Sequence, residues 1–272
     1  MSNPDHQDIV TRSEYRSFIE DPSVPVPGPE ELRRVGSFER LDFLQVGVII
    51  LDNLRSAAGL RPDHAVLDVG CGWGRLALPL SRFLAAEGRY AGVDVAAKAI
   101  DWCRAHIGAA HSNFAFHHID AANSYANPSG AVPAERIRLL DGAEGFDRIV
   151  ATSLFTHMLP AATENYLAQM AALCRPGGLI YATFFLLDEE AERLCAEGRS
   201  LIRFPAEHEG VRISNPAIPE DAVAYSPGWV RERLAALGFT AEIRKGFWSG
   251  RAEGGFDFQD VVIARRGADV QG

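Results

Sequence analysis

From residue 65 onward the chain alternates between two rhythms. Residues 65–69, 90–95, 114–119, 146–151 and 179–187 are short apolar runs of strand length. Between them, 75–86, 97–107 and 161–174 carry apolar residues at three- and four-residue steps, the period of an amphipathic helix. Gly88 closes the first helix, and Pro176-Gly177-Gly178 closes the third. Strands alternating with helices predict a parallel sheet covered on both faces. The end of the chain breaks the rhythm. A helix is expected over 227–237, then strands over 239–247 and 260–265 with a Gly-rich connection too short for a helix, so these two must be antiparallel.

Two stretches stand outside this alternation. Residues 1–30 are polar and rich in proline, with Pro22, Pro25, Pro27 and Pro29 close together, so they read as an arm, either mobile or laid over the domain. Leu32, Val35, Phe38, Leu41, Leu44, Val48, Leu51 and Leu54 then follow a helical period, which Gly36-Ser37 and Gly47 interrupt, predicting two helices or one broken one. The second stretch is 188–226, an insertion of the kind that forms lids and binding loops. Arg199, Arg203, His208, Arg212 and Tyr225 offer polar contacts there, with Tyr15, Phe18 and Trp248 as further lining residues. The expected organisation is an arm with cap helices over 1–58 and an α/β domain over 59–272, with a cap insertion at 188–226.

Composition narrows the class. The chain has 272 residues, 47% hydrophobic and 23% charged, which suits a globular domain with a full core. Its net charge of −9 disfavours a nucleic-acid partner. No apolar run is long enough to span a bilayer, and the N-terminus lacks a signal peptide's basic start and apolar core, so no membrane partner and a cytoplasmic location are expected. Cys71, Cys103, Cys174 and Cys195 show no metal or redox spacing and read as reduced thiols.

The densest chemistry lies in Val66-Leu67-Asp68-Val69-Gly70-Cys71-Gly72-Trp73-Gly74-Arg75. A buried strand runs into three glycines at alternate positions before a helix, which is a cofactor turn. A dinucleotide loop of the G-x-G-x-x-G type would need its third glycine at 75, where Arg75 stands. Asp68, two residues before the first glycine, is awkward beside a pyrophosphate and suits a cationic ligand such as an aminoacyl sulfonium. Asp94 ends the next strand, 94 − 74 = 20 residues after the last glycine, the distance at which a carboxylate meets ribose hydroxyls. A helix cap is its plainer role. Asp120 ends the third strand, where it can accept from an adenine amino group or merely start an Asx turn.

These segments, with Gly92-Val93-Asp94-Val95, Ile119-Asp120-Ala121, Phe146-Asp147-Arg148-Ile149 and Leu173-Cys174-Arg175-Pro176-Gly177-Gly178, resemble the ordered motifs of class I S-adenosylmethionine-dependent methyltransferases over about 65–266. The segment 153–160 also resembles bacterial small-molecule and sugar methyltransferases. The resemblance implies a Rossmann-like seven-stranded sheet of order 3-2-1-4-5-7-6 with the last strand antiparallel. It implies S-adenosylmethionine as cofactor. Asp68 and Gly70, Cys71, Gly72 and Gly74 would surround its methionine part, Asp94 and Val95 the ribose, Asp120 and Ala121 the adenine, with Thr152 and Ser153 beside the methyl donor. No metal is expected.

Methyl transfer needs a positioned nucleophile, and a base helps when that nucleophile must lose a proton. His157, just past the fourth strand, is the first candidate, with ordering of its loop as the structural alternative. His117 and His118 point to opposite faces and are weaker candidates. Arg75, Arg34 and Arg40 are candidates for a cofactor carboxylate; Trp73 and Trp102 read as packing residues. The expected reaction is methylation of a small-molecule substrate, most simply at an oxygen of a sugar or secondary metabolite. N- or C-methylation, a non-catalytic cofactor-binding subunit and an NAD-dependent oxidoreductase are the alternatives, and a homodimer is an open assembly.

Overall fold

A computed structural model describes residues 4–123, 127–141, 145–251 and 255–267. The chain forms two compact units, Met1–His118 and Ile119–Gly272.

The first unit opens with α1 (Pro4–Thr11) and α2 (Ser13–Ile19), so half of the predicted arm is helical. Tyr15, Phe18 and Ile19 are buried, and that apolar face stabilises a helix too short to persist alone. The prolines that follow form no helix; Arg40 straps them by donating to the carbonyls of Asp21 (2.5 Å) and Val24 (3.1 Å). Next come α3 (Pro29–Arg34) and α4 (Arg40–Ser56), the predicted pair, separated at Gly36 with φ +71°. A capping box between Glu39 and Asp42 starts α4. Gly47 does not break it: a Cβ there would lie 2.3 Å from the Arg75 carbonyl oxygen, so the glycine serves close packing.

β1 (Ala65–Val69), α5 (Ala77–Phe83), β2 (Arg89–Asp94), α6 (Ala97–Cys103, continued by a wider turn over Arg104–Gly108) and β3 (Phe114–His118) complete this unit. β1 pairs with β2 and β2 with β3, all parallel, giving the order 3-2-1. Every residue of β1 is buried, as a strand covered on both faces requires.

In the second unit the stretch 121–145, which its Asn, Ser, Pro and Gly content marks as a loop, contains among its described residues the two-residue strands β4 (Ala121–Ala122) and β5 (Val132–Pro133), paired parallel. Then follow β6 (Phe146–Ala151), α7 (Pro160–Leu173) and β7 (Cys174–Leu186). β7 starts five residues before the predicted strand: Cys174 pairs with Phe146, and pairing resumes only at Leu179 opposite Arg148. Pro176, with no N–H to give the ladder, lies in that irregularity.

The insertion is built from α8 (Glu189–Ala196), β8 (Ala206–His208), β9 (Val211–Ile213) and β10 (Val223–Tyr225). β8, β9 and β10 are antiparallel neighbours, and β10 runs parallel to the end of β7. The Asp188 carboxylate caps α8 by accepting from Ala191 N–H at 2.8 Å. α9 (Pro227–Ala236) begins with Ser226 as its cap and is followed by β11 (Phe239–Arg244) and β12 (Asp260–Arg266). β12 is antiparallel to both β7 and β11. The order β6-β7-β12-β11 is the 4-5-7-6 half of the expected sheet, and the fold is Rossmann-like α/β as predicted.

Among the described residues no helix is long and apolar enough to cross a membrane. No group of three metal-ligating side chains occurs among them. All four cysteines are free thiols.

Candidate functional site

In the first unit the glycine turn is tied to the end of β2. The amides of Gly70 and Cys71 both donate to the Val93 carbonyl, at 2.8 and 3.1 Å. Gly72 N–H donates to Asp94 Oδ2 at 2.7 Å, and Ala96 N–H to Asp94 Oδ1 at 2.8 Å. The loop amides therefore fix the Asp94 carboxylate rather than standing open. Gly70, Gly72 and Gly74 have φ of +79°, +50° and +77°, which side-chain-bearing residues rarely adopt. A Cβ on Gly74 would press on Ile107 at 2.6 Å, whereas nothing lies within 4 Å of the Cβ position of Gly72.

The two carboxylates differ. Asp68 is buried and accepts from the Tyr90 hydroxyl at 2.8 Å. Burial pushes its pKa up to about 7, against the stabilising Tyr90 bond. Asp94 is partly buried; burial raises its pKa while the amides of Ala96, Gly72 and Val95 pull it back. Gly72 holds one Asp94 oxygen and Ala96 the other, and a carboxylate can accept further hydrogen bonds such as those a ribose diol donates. His118 Nε2 reaches the Val95 carbonyl at 3.1 Å, placing a polar ring beside that carboxylate.

Arg75 is a structural residue. Its guanidinium donates to the Val35 carbonyl and to Ser37 Oγ and lies 5.2 Å from the Phe43 ring centre. Its burial lowers the pKa to about 10. Arg40 holds the proline segment and Arg34 pairs with Glu30. Trp73 packs edge-on against Trp102, as a packing residue should. Tyr15 donates to Asp52 at 2.9 Å and borders, with Phe18, a cavity of about 160 Å³ within this unit.

In the second unit the Asp120 carboxylate accepts from Asn127 Nδ2 at 3.3 Å, and the same amide donates to the Ala121 carbonyl at 3.0 Å. Thr152 and Ser153 follow β6. Ser153 has φ +53°, one of two non-glycine residues in that region among those described. Its N–H donates to Thr183 Oγ1 at 2.7 Å and its hydroxyl to Gln259 at 3.2 Å, contacts that hold the unfavourable backbone in place.

His157 ends a short 3₁₀ turn, Phe155–His157, whose Phe155 ring stacks on Phe184 at 4.8 Å. Its Nδ1 lies 3.1 Å from the Glu220 carbonyl. A carbonyl only accepts, so Nδ1 carries the hydrogen and Nε2 is the basic nitrogen. Burial lowers the pKa, opposed by the carbonyls and charges of Glu220 and Asp221. The ring is thus a neutral base at pH 7. Sequence reasoning missed Asn123, whose amide donates to the His157 carbonyl at 3.0 Å and to Glu220 Oε1 at 2.8 Å. Only the polar composition of the 121–141 loop hinted at it.

Trp248 and Tyr225 are not lining residues. Trp248 is fully buried, with Nε1 donating to Asp260 at 2.6 Å. Tyr225 is buried between Thr163 (2.8 Å) and the Met158 carbonyl (2.7 Å). Arg212 and Arg199 are likewise committed, to the carbonyls of Phe204 and Gly250.

A family model described as a methyltransferase domain matches residues 66–178, from the first strand through the glycine pair after α7. Solved structures agree on the fold. Magnesium protoporphyrin IX methyltransferase from Synechocystis PCC 6803, with bound SAH, is 16% identical with a TM-score of 0.51, covering 95% of this chain and 97% of that one. A SAM-dependent methyltransferase from Methanosarcina mazei is 19% identical with a TM-score of 0.51, over 81% of this chain and 98% of that one. A possible exported protein from Bordetella parapertussis is 18% identical with a TM-score of 0.54, over 93% and 78%.

Proposed function

We propose that this chain, a class I S-adenosylmethionine-dependent methyltransferase, methylates an oxygen of a small-molecule acceptor, a sugar or secondary metabolite, with His157 as proton acceptor. The observation that carries this reading is the pairing of a glycine turn with Asp94, whose two oxygens are held by Gly72 and Ala96 in one orientation. That donor set fits a ribose, and the open face of Gly72 leaves room for a ligand against the backbone.

Bound S-adenosylmethionine supplies a methyl group on a positively charged sulfur. The residues assigned to hold it are Asp94 and Val95 at the ribose, Asp120 and Ala121 at the adenine, and Asp68 with Gly70, Cys71, Gly72 and Gly74 near the methionine part. Asp68 acts through the loop, since its carboxylate is buried against Tyr90. Thr152 and the strained Ser153 line the transfer region. His157 Nε2 takes the proton that an acceptor hydroxyl must lose, a contribution of about 10²–10⁴-fold. An alcohol needs that base, whereas an already neutral amine can attack without one. A half-buried histidine whose pKa is lowered by burial therefore favours oxygen.

The insertion 188–226 and the helices over 1–58 are assigned to acceptor choice. The related magnesium protoporphyrin IX enzyme also acts on a small molecule. We place the reaction in the cytosol, where four free thiols stay reduced.

Calorimetry and product release test this together. S-adenosylmethionine should bind, Asp94→Ala should weaken that binding at least tenfold, and a panel of hydroxylated acceptors should yield S-adenosylhomocysteine. His157→Ala should lower turnover with little change in cofactor affinity, and turnover should fall only at a pH below the ordinary imidazole range, because burial lowers the His157 pKa. NADH binding without S-adenosylmethionine binding would sink the assignment. Tight cofactor binding with no release from any acceptor favours a non-catalytic subunit.

A further inference from the structure

We infer that Asn123, acting with Glu220 of the insertion, is a positioning residue that sets the orientation and tautomer of His157. The inference rests on the reading of His157 as the base and adds two residues to it.

The geometry is a closed clamp. Asn123 Nδ2 divides its two hydrogens between the His157 carbonyl (3.0 Å) and Glu220 Oε1 (2.8 Å). Both partners only accept, so the amide's orientation follows from chemistry. The Glu220 main chain then receives the imidazole Nδ1–H through its own carbonyl, at 3.1 Å. One side of the clamp grips the histidine backbone and the other its ring. Glu220 belongs to the 3₁₀ turn Pro219–Asp221, 63 residues away in sequence, so the insertion dictates which imidazole nitrogen is basic.

Neighbouring contacts limit what else could do this. Met158 is fixed through its carbonyl by Tyr225, and Phe155 through its ring by Phe184, so the turn is anchored on either side of His157. The charged groups acting on the ring are Glu220 and Asp221, both from the insertion turn. Asn123 also belongs to the loop that presents Asp120: its N–H and carbonyl exchange hydrogen bonds with Asn127 (3.0 and 2.9 Å), and Asn127 bonds Asp120 and Ala121. The loop assigned to adenine thus carries the amide that secures the base.

The test is imidazole ¹⁵N NMR on histidine-labelled protein, with the His157 signals assigned by their loss in His157→Ala. The wild-type ring should be the Nδ1–H tautomer and titrate below 6.5. In Asn123→Ala and in Glu220→Ala the ring should move toward the Nε2–H tautomer, and in Glu220→Ala its titration should fall further, because the charge that opposes burial is gone. Glu220→Gln, whose amide oxygen still accepts from Asn123, should keep the wild-type tautomer. Turnover should fall about tenfold in Asn123→Ala and stay near wild type in Glu220→Gln. An unchanged tautomer and titration in both alanine variants overturns the positioning role, whatever His157→Ala does. Undiminished S-adenosylhomocysteine release by His157→Ala overturns the base itself, whatever the spectra show.

Discussion

The glycine turn of the first unit and the histidine turn of the second solve the same problem by different means. Around Gly70–Gly74 the holding groups are mostly main-chain: parallel register between β1 and β2 and two amides on the Val93 carbonyl, with the Asp94 carboxylate accepting a third. Around His157 they include the side chains of Asn123 and Tyr225 and the main-chain carbonyl of Glu220, all from distant segments. A site made of backbone tolerates few changes in shape and suits an invariant ligand. One made of side chains on an insertion can be reshaped residue by residue, which suits a variable acceptor.

The sharpest way to separate the two regions is to release the insertion alone. Arg251 is 4% exposed and donates to Asp188 (2.8 Å) and Glu190 (2.9 Å) at the start of α8, with Asp260 at 3.4 Å. Lys245 reinforces the same two acids at 2.9 Å. Arg251→Ala leaves the buried Asp260 without its cation and should cost about 3–5 kcal/mol in chemical denaturation. S-adenosylmethionine affinity in the surviving folded fraction should change little. An equal loss of both would contradict the division of labour.

The converse change strikes the glycine turn. Gly74→Ala forces a side chain into a positive-φ position and against Ile107 and Cys103. About 2–3 kcal/mol of stability should go, from backbone strain and overpacking, and cofactor affinity should fall with it. Wild-type affinity in this variant would show that the turn's shape is not what recognises the donor.

A third test reads pH. Asp68 has a folded pKa of about 7, above the ordinary carboxylate value, because it is buried. The folded state therefore keeps a proton that the unfolded chain gives up. This group's contribution is full below about pH 4, is lost as pH rises toward 7, and is level above that. Asp68→Asn does not titrate and its amide oxygen can still accept from Tyr90. Its stability relative to wild type should climb by about 3 kcal/mol between pH 4 and 7, as followed by thermal unfolding across that range. A pH-independent difference would mean that the wild-type carboxylate is ionised throughout.

The same contrast explains what could be read in advance. β1 and β6 match their apolar runs residue for residue, and the place of Asp94 at the end of β2 beside the glycine turn was legible too, since local pattern and strand–turn–helix order encode both. α1 and α2 were missed because helices of eight and seven residues carry too few turns of periodicity; their order comes from tertiary contacts such as Tyr15 to Asp52. Arg75 looked like a ligand for an anion because its partners, Val35 and Ser37, lie about 40 residues upstream. Asn123 escaped for the same reason: a polar residue in a loop has no period, and its partners lie 34 and 97 residues away.

The smallest expected effect is the most discriminating. Ser153 holds φ +53° directly after Thr152 at the end of β6, a conformation that costs a serine roughly 1 kcal/mol and a glycine almost nothing. Ser153→Gly relieves that strain, keeps the N–H bond to Thr183 and gives up only the exposed hydroxyl contact to Gln259. The balance should be neutral to about 1 kcal/mol stabilising, measured by thermal unfolding. If the strain exists to aim this loop at the transfer region, turnover should nevertheless fall severalfold, because a glycine no longer confines the backbone to one geometry. A variant both more stable and fully active would reduce Ser153 to a turn residue and leave the second unit's chemistry to His157 and its clamp.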